Sequence, residues 1–362
     1  MLAKSEFLLL GCALLFFVVL PRLILMLNYP ATDEGYYAYL AQEIYSSLSQ
    51  NGIIPSIGPI SVYPLLSSWI FAFDVNHIVY LRTFDLAVSI VTAYLLYKVI
   101  YLITNKVPPS ILITSITLVG INQQIFIQYG YKNSILAAFV PLLGGLLIFF
   151  NKSKELDSCR WAKIGFLTCL SCLLREPFIY FAVLGLIGVS IGWGYKASYS
   201  YITGGLTALA LAPIFFSVFR EDSYWIKSGY LDLLKMYEAA PQQDIFLKLI
   251  KGFEAFQKAW GISLLTGFLL LMAFVPVIRE KRSLGSYKRV LFFLASAFIP
   301  MLEPLSKIAL SYHFLPCLIP MSICCAILWN RLVLGNHSFT ARLIYATGIL
   351  LIFVEGKAIT LL

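Results

Sequence analysis

The chain has 362 residues, of which 60% are hydrophobic and only 12% are charged, and its mean hydropathy is +0.83. A soluble domain is typically about 25% charged, so this composition excludes an ordinary soluble protein and predicts an all-α polytopic membrane protein. The net charge of +9 does not indicate nucleic-acid binding, because Lys and Arg are spread between apolar stretches, as membrane orientation requires.

Apolar stretches along the chain predict about eleven transmembrane helices, since a span needs about 20 apolar residues. These stretches lie near 7–27, 78–102, 108–127, 131–150, 162–175, 177–193, 199–219, 259–278, 289–303, 312–330 and 342–361. The fifth and sixth are short and adjoin at Arg175-Glu176-Pro177, so they can also form one interrupted hairpin. We interpret 1–362 as a single integral membrane domain, because no linker or convincing internal repeat divides it.

Positive charges in short loops predict the orientation. Lys and Arg recur in three alternate loops, at 151–163, 194–196 and 279–289. None occurs in 23–81, so the N-terminus is expected to be cytoplasmic and two long loops, 28–77 and 220–258, to be extracytoplasmic. The first apolar stretch has no small-residue cleavage site and is expected to remain as a helix. The short chain without an ER-retrieval signal indicates a bacterial inner membrane.

The first extracytoplasmic loop, 28–77, is predicted to contain two interfacial helices. Apolar residues recur there with a helical period, and Thr32 can cap this first helix. Asp33 and Glu34 then lie in its first turn, where the helix dipole favours negative charge. The helix is aromatic and amphipathic, which is typical of a segment in the membrane interface, and 65–73 is a candidate for the second.

The adjacent carboxylates of Asp33 and Glu34 allow two interpretations. They can be first-turn acids exposed at the membrane surface, which is a purely structural role. Alternatively, one of them is a general base at the membrane–water boundary, where it would deprotonate an acceptor hydroxyl.

Basic residues lie at several later outer turns. Arg82 begins the second span one turn before Asp85, with which it can pair. Arg175 interrupts an apolar stretch, where a charge indicates function. The turn before the tenth span contributes Lys307, Tyr312 and His313. Such positive groups can hold a departing lipid phosphate, because preorganised positive charge stabilises developing negative charge.

The sequence resembles the GT-C superfamily of polyprenyl-phosphate-dependent glycosyltransferases in three stretches: DEGYY after the first span, VYLRTFDLAVSIVTAYLLYKV, and YHFLPCLIPMSICCAILW. It looks most similar to bacterial protein mannosyltransferase-like and lipid A aminoarabinose transferase-like enzymes. The resemblance implies a GT-C-like membrane fold and inverting transfer of a sugar. The implied donor is a polyprenyl-phosphate sugar, and the acceptor hydroxyl belongs to a lipid, a glycan or a protein on the outer face.

The same resemblance implies roles for individual residues. Asp33 is the expected general base, with Glu34 beside it. The expected substrate-binding residues, for phosphate or sugar, are Arg82, Arg175, Lys307, Tyr312 and His313. Some members carry a divalent metal near the acidic loop, but the sequence offers no dedicated metal-ligand cluster. Many members continue into a soluble C-terminal domain after the last span, and loop 220–258 is expected to do part of that domain's work here.

Other kinds of membrane protein remain as alternatives. A transporter or flippase of lipid-linked sugars would need charges near the bilayer midplane and often has repeated halves. An oligosaccharide polymerase would place its main basic groups in large outer loops later in the chain. A purely structural or binding membrane protein is the third alternative. The distinctive acids of this chain lie in the first loop, which favours the glycosyltransferase.

Overall fold

The computed structural model describes residues 4–26, 32–52, 62–73, 77–127, 133–151, 156–175, 178–219, 247, 250 and 316–334. Every regular element within these ranges is helical, and none of them contains a strand. The all-α prediction is thereby confirmed for the described part of the chain.

The first predicted span is a helix in three segments. Helix α1 (Lys4–Leu14) leads into a π-helical turn (Leu15–Val19), which leads into α2 (Leu20–Met26). The stretch Glu6–Ile24 is long and apolar enough to cross a membrane. Several of its apolar side chains are exposed, as expected for a surface that faces lipid, namely Phe7, Leu8, Leu9, Phe16, Leu23 and Ile24.

The first loop contains the two predicted helices. Helix α3 covers Thr32–Asn51. Helix α4 covers Val62–Ser67 and continues as a 3₁₀ segment, Ser68–Ala72. The second helical stretch therefore begins slightly earlier than the predicted 65–73 and tightens in its second half.

The later helices are α5 (His77–Thr104), α6 (Val107–Ile127), α7 (Asn133–Phe150), α8 (Ser158–Leu174), α9 (Ile179–Trp193), α10 (Tyr195–Phe219) and α11 (Leu318–Leu334). They match the predicted spans from the second to the seventh, and α11 matches the tenth with a shift towards the C-terminus. Besides Glu6–Ile24, the stretch Leu81–Thr104 is long and apolar enough to cross a membrane, and four described helices carry shorter apolar stretches. The helices are thus compatible with membrane association.

Three predicted spans, 259–278, 289–303 and 342–361, lie outside the described residues, as does nearly all of loop 220–258. The number of spans and the topology therefore stay predictions.

The chain separates into two helices at the Arg-Glu-Pro sequence that joins the fifth and sixth predicted spans. Helix α8 ends at Leu174, and Arg175 takes an extended conformation with φ −156° and ψ 120°. Helix α9 starts at Ile179. A proline disfavours helical conformation in the residue before it, and this explains the position of the break.

Residue contacts divide the chain into two compact units. One, here called the first-loop unit, comprises Leu14–Leu95 and Ile125–Gln242. The second unit comprises the remaining segments, Met1–Ala13, Leu96–Gln124 and Gln243–Leu362. The prediction of a single membrane domain over 1–362 stays a prediction.

Polar side chains join helices within the second unit. The hydroxyls of Thr117 and Ser322 lie 2.5 Å apart and link α6 to α11. The side-chain amide of Asn330 on α11 donates to the carbonyl oxygen of Ile103, 2.9 Å away. Hydrogen bonds of this kind hold helices together where lipid removes the hydrophobic driving force between them.

Within the first-loop unit, helices α8 and α10 approach closely enough for their backbones to touch. A Cβ atom added at Gly165 would overlap the backbone carbonyl of Tyr201, and one added at Gly204 would overlap that of Ala162. Small residues at such a crossing permit close packing of membrane helices.

We predict that Gly165→Ala destabilises the fold by about 1–3 kcal/mol, because the new methyl group would meet rigid backbone rather than a flexible side chain. The thermal midpoint of the purified protein in detergent is the measurement. Gly192→Ala is the matched control, since nothing lies within 4 Å of the position of its added Cβ. Equal midpoints for the two variants would contradict the close crossing.

Candidate functional site

Helix α3 carries the acidic pair of the first loop. It begins at Thr32, so Asp33 and Glu34 lie in its first turn, as predicted. Its side chains at Leu40, Ala41 and Ile44 are buried. They recur at helical spacing, which confirms the amphipathic pattern.

A buried apolar cluster joins α3 to the start of α5. Its core consists of Ala41 from α3, Ile70 and Phe71 from the 3₁₀ segment, and Leu81 from α5, and partly buried residues pack around it. Arg82 directly follows Leu81 in α5. The cluster therefore holds the helix that begins with the acidic turn against the segment that carries Arg82.

Tyr63 of α4 and Asp85 of α5 form a buried hydrogen bond. The Tyr63 hydroxyl donates to Oδ1 of Asp85 over 2.8 Å, and both residues are 0% exposed. The Tyr63 ring lies 6.3 Å from that of Phe84. A hydrogen bond typically contributes about 0.5–1.5 kcal/mol, so this buried contact helps to hold α4 on α5.

Helix α4 contacts several other helices of the first-loop unit. It contacts α3 on one side and also touches α7 and α8. The Ser67 hydroxyl, at its last turn, lies within hydrogen-bonding distance of the carbonyl oxygens of Tyr63 and Pro64. Helix α4 therefore touches both α3, which begins with the acidic turn, and two later helices.

Arg82 and Asp85, which the sequence placed one turn apart, are both buried. Arg82 is 3% exposed. Buried charges in apolar helices are costly and mark functional sites by default. The acceptor role of Asp85 towards Tyr63 was not predicted, and the pairing of Arg82 with Asp85 stays a prediction.

Arg175 lies at the end of α8 and is half-buried. Its backbone N–H donates to the carbonyl oxygen of Ser171, and its own carbonyl oxygen accepts from the N–H of Phe178. The buried Phe178 ring packs 5.4 Å from that of Phe139 and 5.7 Å from that of Phe181. This turn is therefore held in place by packing as well as by backbone hydrogen bonds.

Arg22 is a candidate that reasoning from the sequence missed. It lies in α2, just after the π-helical turn, and is 1% exposed. Val18, one turn earlier, is also buried, whereas the neighbouring Leu23 and Ile24 are exposed. The available signal was an arginine near the predicted outer end of an apolar stretch, because positive charges in membrane proteins favour the cytoplasmic side. Arg22, Arg82 and Arg175 all belong to the first-loop unit.

Several predicted site residues are not described by the structure. Lys307, Tyr312 and His313 lie outside the described ranges, and the side chains of Asp33 and Glu34 are likewise not described. Within the described residues, no group of three or more His, Cys, Asp or Glu side chains is arranged to hold a metal ion.

The described residues thus include two buried guanidinium groups, Arg22 and Arg82, and a buried, hydrogen-bonded carboxylate, Asp85. Guanidinium groups are side chains that bind phosphate through paired, charge-assisted hydrogen bonds. Comparison with protein-family models finds no match to this chain, and neither does comparison with curated proteins. Membership of the GT-C superfamily therefore stays a prediction from the sequence.

Proposed function

We propose that this protein is a multi-pass membrane glycosyltransferase of the GT-C type, which transfers a sugar from a polyprenyl-phosphate donor to an acceptor hydroxyl on the extracytoplasmic face. The observation that carries the proposal is the packing of α3 against the start of α5 through Ala41 and Leu81. It supports the proposal because the helix that begins with the acidic turn and a buried arginine then belong to one packed region. Asp33 precedes Ala41 by roughly 12 Å along α3, at 1.5 Å per residue.

The topology of the proposed enzyme has about eleven spans in a bacterial inner membrane, with the N-terminus in the cytoplasm. Arg22 lies near the end of the first span, Arg82 at the start of the second and Arg175 at the end of the fifth. Alternation of the spans puts all three on the extracytoplasmic side. Positive charge is otherwise disfavoured on that side. We therefore propose that the three arginines bind an anionic substrate.

In the proposed reaction, the Asp33 carboxylate accepts the proton of the acceptor hydroxyl. The hydroxyl oxygen of the acceptor then attacks the anomeric carbon of the sugar. The bond between that carbon and the phosphate oxygen breaks, and polyprenyl phosphate leaves with the bonding electron pair. Arginine side chains stabilise the negative charge that develops on the phosphate. Attack and departure occur on opposite faces of the sugar, so the configuration at the anomeric carbon inverts.

Exposed aromatic side chains support an interfacial position for the first loop. Trp69 and Phe73 are exposed, and their rings meet edge to face 6.1 Å apart. Trp69 also lies 6.4 Å from Phe84 of α5. Tryptophan is enriched at membrane–water interfaces, where a polyprenyl-phosphate donor places its phosphate.

A flippase for lipid-linked sugars is the second candidate function. Asp85 favours it, because a carboxylate buried inside an apolar helix is a feature of transport pathways as well as of enzymes. The two functions differ in products, since a flippase moves its donor without cleaving it.

We predict that Asp33→Asn lowers transfer by about 10²–10⁴-fold, the contribution of a positioned general base. Purified protein in lipid nanodiscs would receive a panel of polyprenyl-phosphate sugars, with release of free polyprenyl phosphate as the readout. Folding should persist, because Asn has nearly the same size and shape as Asp.

Glu43→Gln is the matched control for this test, because it removes a carboxylate from the same helix at a distance from its first turn. Equal release by wild type and Asp33→Asn would remove Asp33 as the base and keep the enzyme. Donor binding without any release would favour the flippase.

We predict that Arg22→Gln and Arg175→Ala each raise the KM for the donor by roughly 10–100-fold, the range for a lost hydrogen bond to a charged group. The KM for the acceptor should change less, because the arginines are proposed to contact the donor phosphate. Steady-state kinetics with each substrate varied in turn is the measurement.

Lys196→Gln serves as the control, since it removes an exposed positive charge from the opposite end of the helices. An unchanged donor KM in either arginine variant would remove that arginine from the site.

A further inference from the structure

The hydrogen bond between Tyr63 and Asp85 connects two segments that are separate in the sequence. The two residues are 22 positions apart, and each is fully buried. A buried carboxylate is destabilising unless it is hydrogen-bonded, so Asp85 favours a conformation in which α4 remains docked. The hydrogen bond thus favours one position of the first loop over others.

The position of α4 affects the position of the acidic turn, because α4 packs against α3, the helix that begins with this turn. Helix α4 contacts α3, and the 3₁₀ segment that continues α4 contributes Ile70 and Phe71 to the cluster with Ala41. If α4 moved away from α5, this cluster would lose its support. The first turn of α3 would then shift relative to Arg82.

We infer that Tyr63 and Asp85 form a positioning pair, which docks the first loop on α5 and thereby sets the place of Asp33 relative to the donor. The catalytic part of this inference rests on the proposed function. The docking itself does not, and it can be measured without any substrate. Neither residue is assigned contact with the reacting atoms.

The first experiment measures docking by thiol labelling. A full-length chain with its seven native cysteines replaced would carry only Ser67→Cys, at a fully buried position on α4. We expect Tyr63→Phe to speed maleimide labelling of this thiol by roughly tenfold, the factor that corresponds to the loss of about one such hydrogen bond. Unchanged slow labelling in Tyr63→Phe would overturn the inference.

Matched variants separate docking from general loosening. A cysteine at Leu66, which is 47% exposed, should label fast in every background. Tyr39→Phe removes a hydroxyl from a side chain that is 51% exposed, so the Ser67→Cys thiol should stay protected. Asp85→Asn retains an oxygen that can accept from the Tyr63 hydroxyl. The Ser67→Cys thiol should therefore be labelled more slowly in the Asp85→Asn background than in the Asp85→Leu background. Should Asp85→Leu fail to fold, Tyr63→Phe still decides, since it deletes a single hydroxyl.

The second experiment measures the catalytic consequence. We expect Tyr63→Phe to lower kcat by roughly tenfold with the donor KM unchanged, because displacement of the base slows the chemical step and leaves the arginines in place. Faster labelling together with a wild-type kcat would overturn the positioning role. An absence of transfer by the wild type would overturn the proposed function alone, and labelling would still decide whether the pair docks the loop.

Discussion

Burial of the Asp85 carboxylate is the constraint on which the arrangement of the first-loop unit depends. Removing a polar group from water costs roughly 2–7 kcal/mol unless a hydrogen bond compensates. The Tyr63 hydroxyl provides such a bond at 2.8 Å, and it comes from the first loop rather than from a neighbouring span. Satisfying Asp85 in this way requires Tyr63 of α4 to reach α5, and α4 also contacts α3, α7 and α8.

The helices around this site are held by a different kind of contact. Helix α8 packs against α10 through Gly165 and Gly204, where the backbones come together without intervening side chains. In lipid no hydrophobic force drives helices together, so close van der Waals contact and occasional hydrogen bonds do this instead. These close contacts involve Ala162 and Gly165 in the first half of α8, whereas Arg175 follows the opposite end of that helix.

The arginine side chains are the part of this structure that the proposed reaction uses to bind the donor phosphate. Arg22 and Arg82 are buried near helix ends, and Arg175 is half-buried at another. Lysine would serve less well at such positions, because the planar guanidinium binds phosphate in a paired geometry and is less strongly hydrated. In the proposed topology, these side chains lie at the outer ends of the spans, at the height of a donor phosphate among the lipid head groups.

The amino-acid sequence by itself determined the features that depend on local pattern. Apolar length predicted the described helices, Pro177 predicted the break after α8, and periodicity predicted α3 with Asp33 in its first turn. Only the tertiary structure decided that Asp85 accepts a hydrogen bond from Tyr63, 22 residues earlier in the chain. Likewise, only it showed that Arg22 is buried. Contacts between distant segments, and the rotation of a helix about its axis after a π-helical turn, depend on how whole helices pack, and a local pattern does not contain that information.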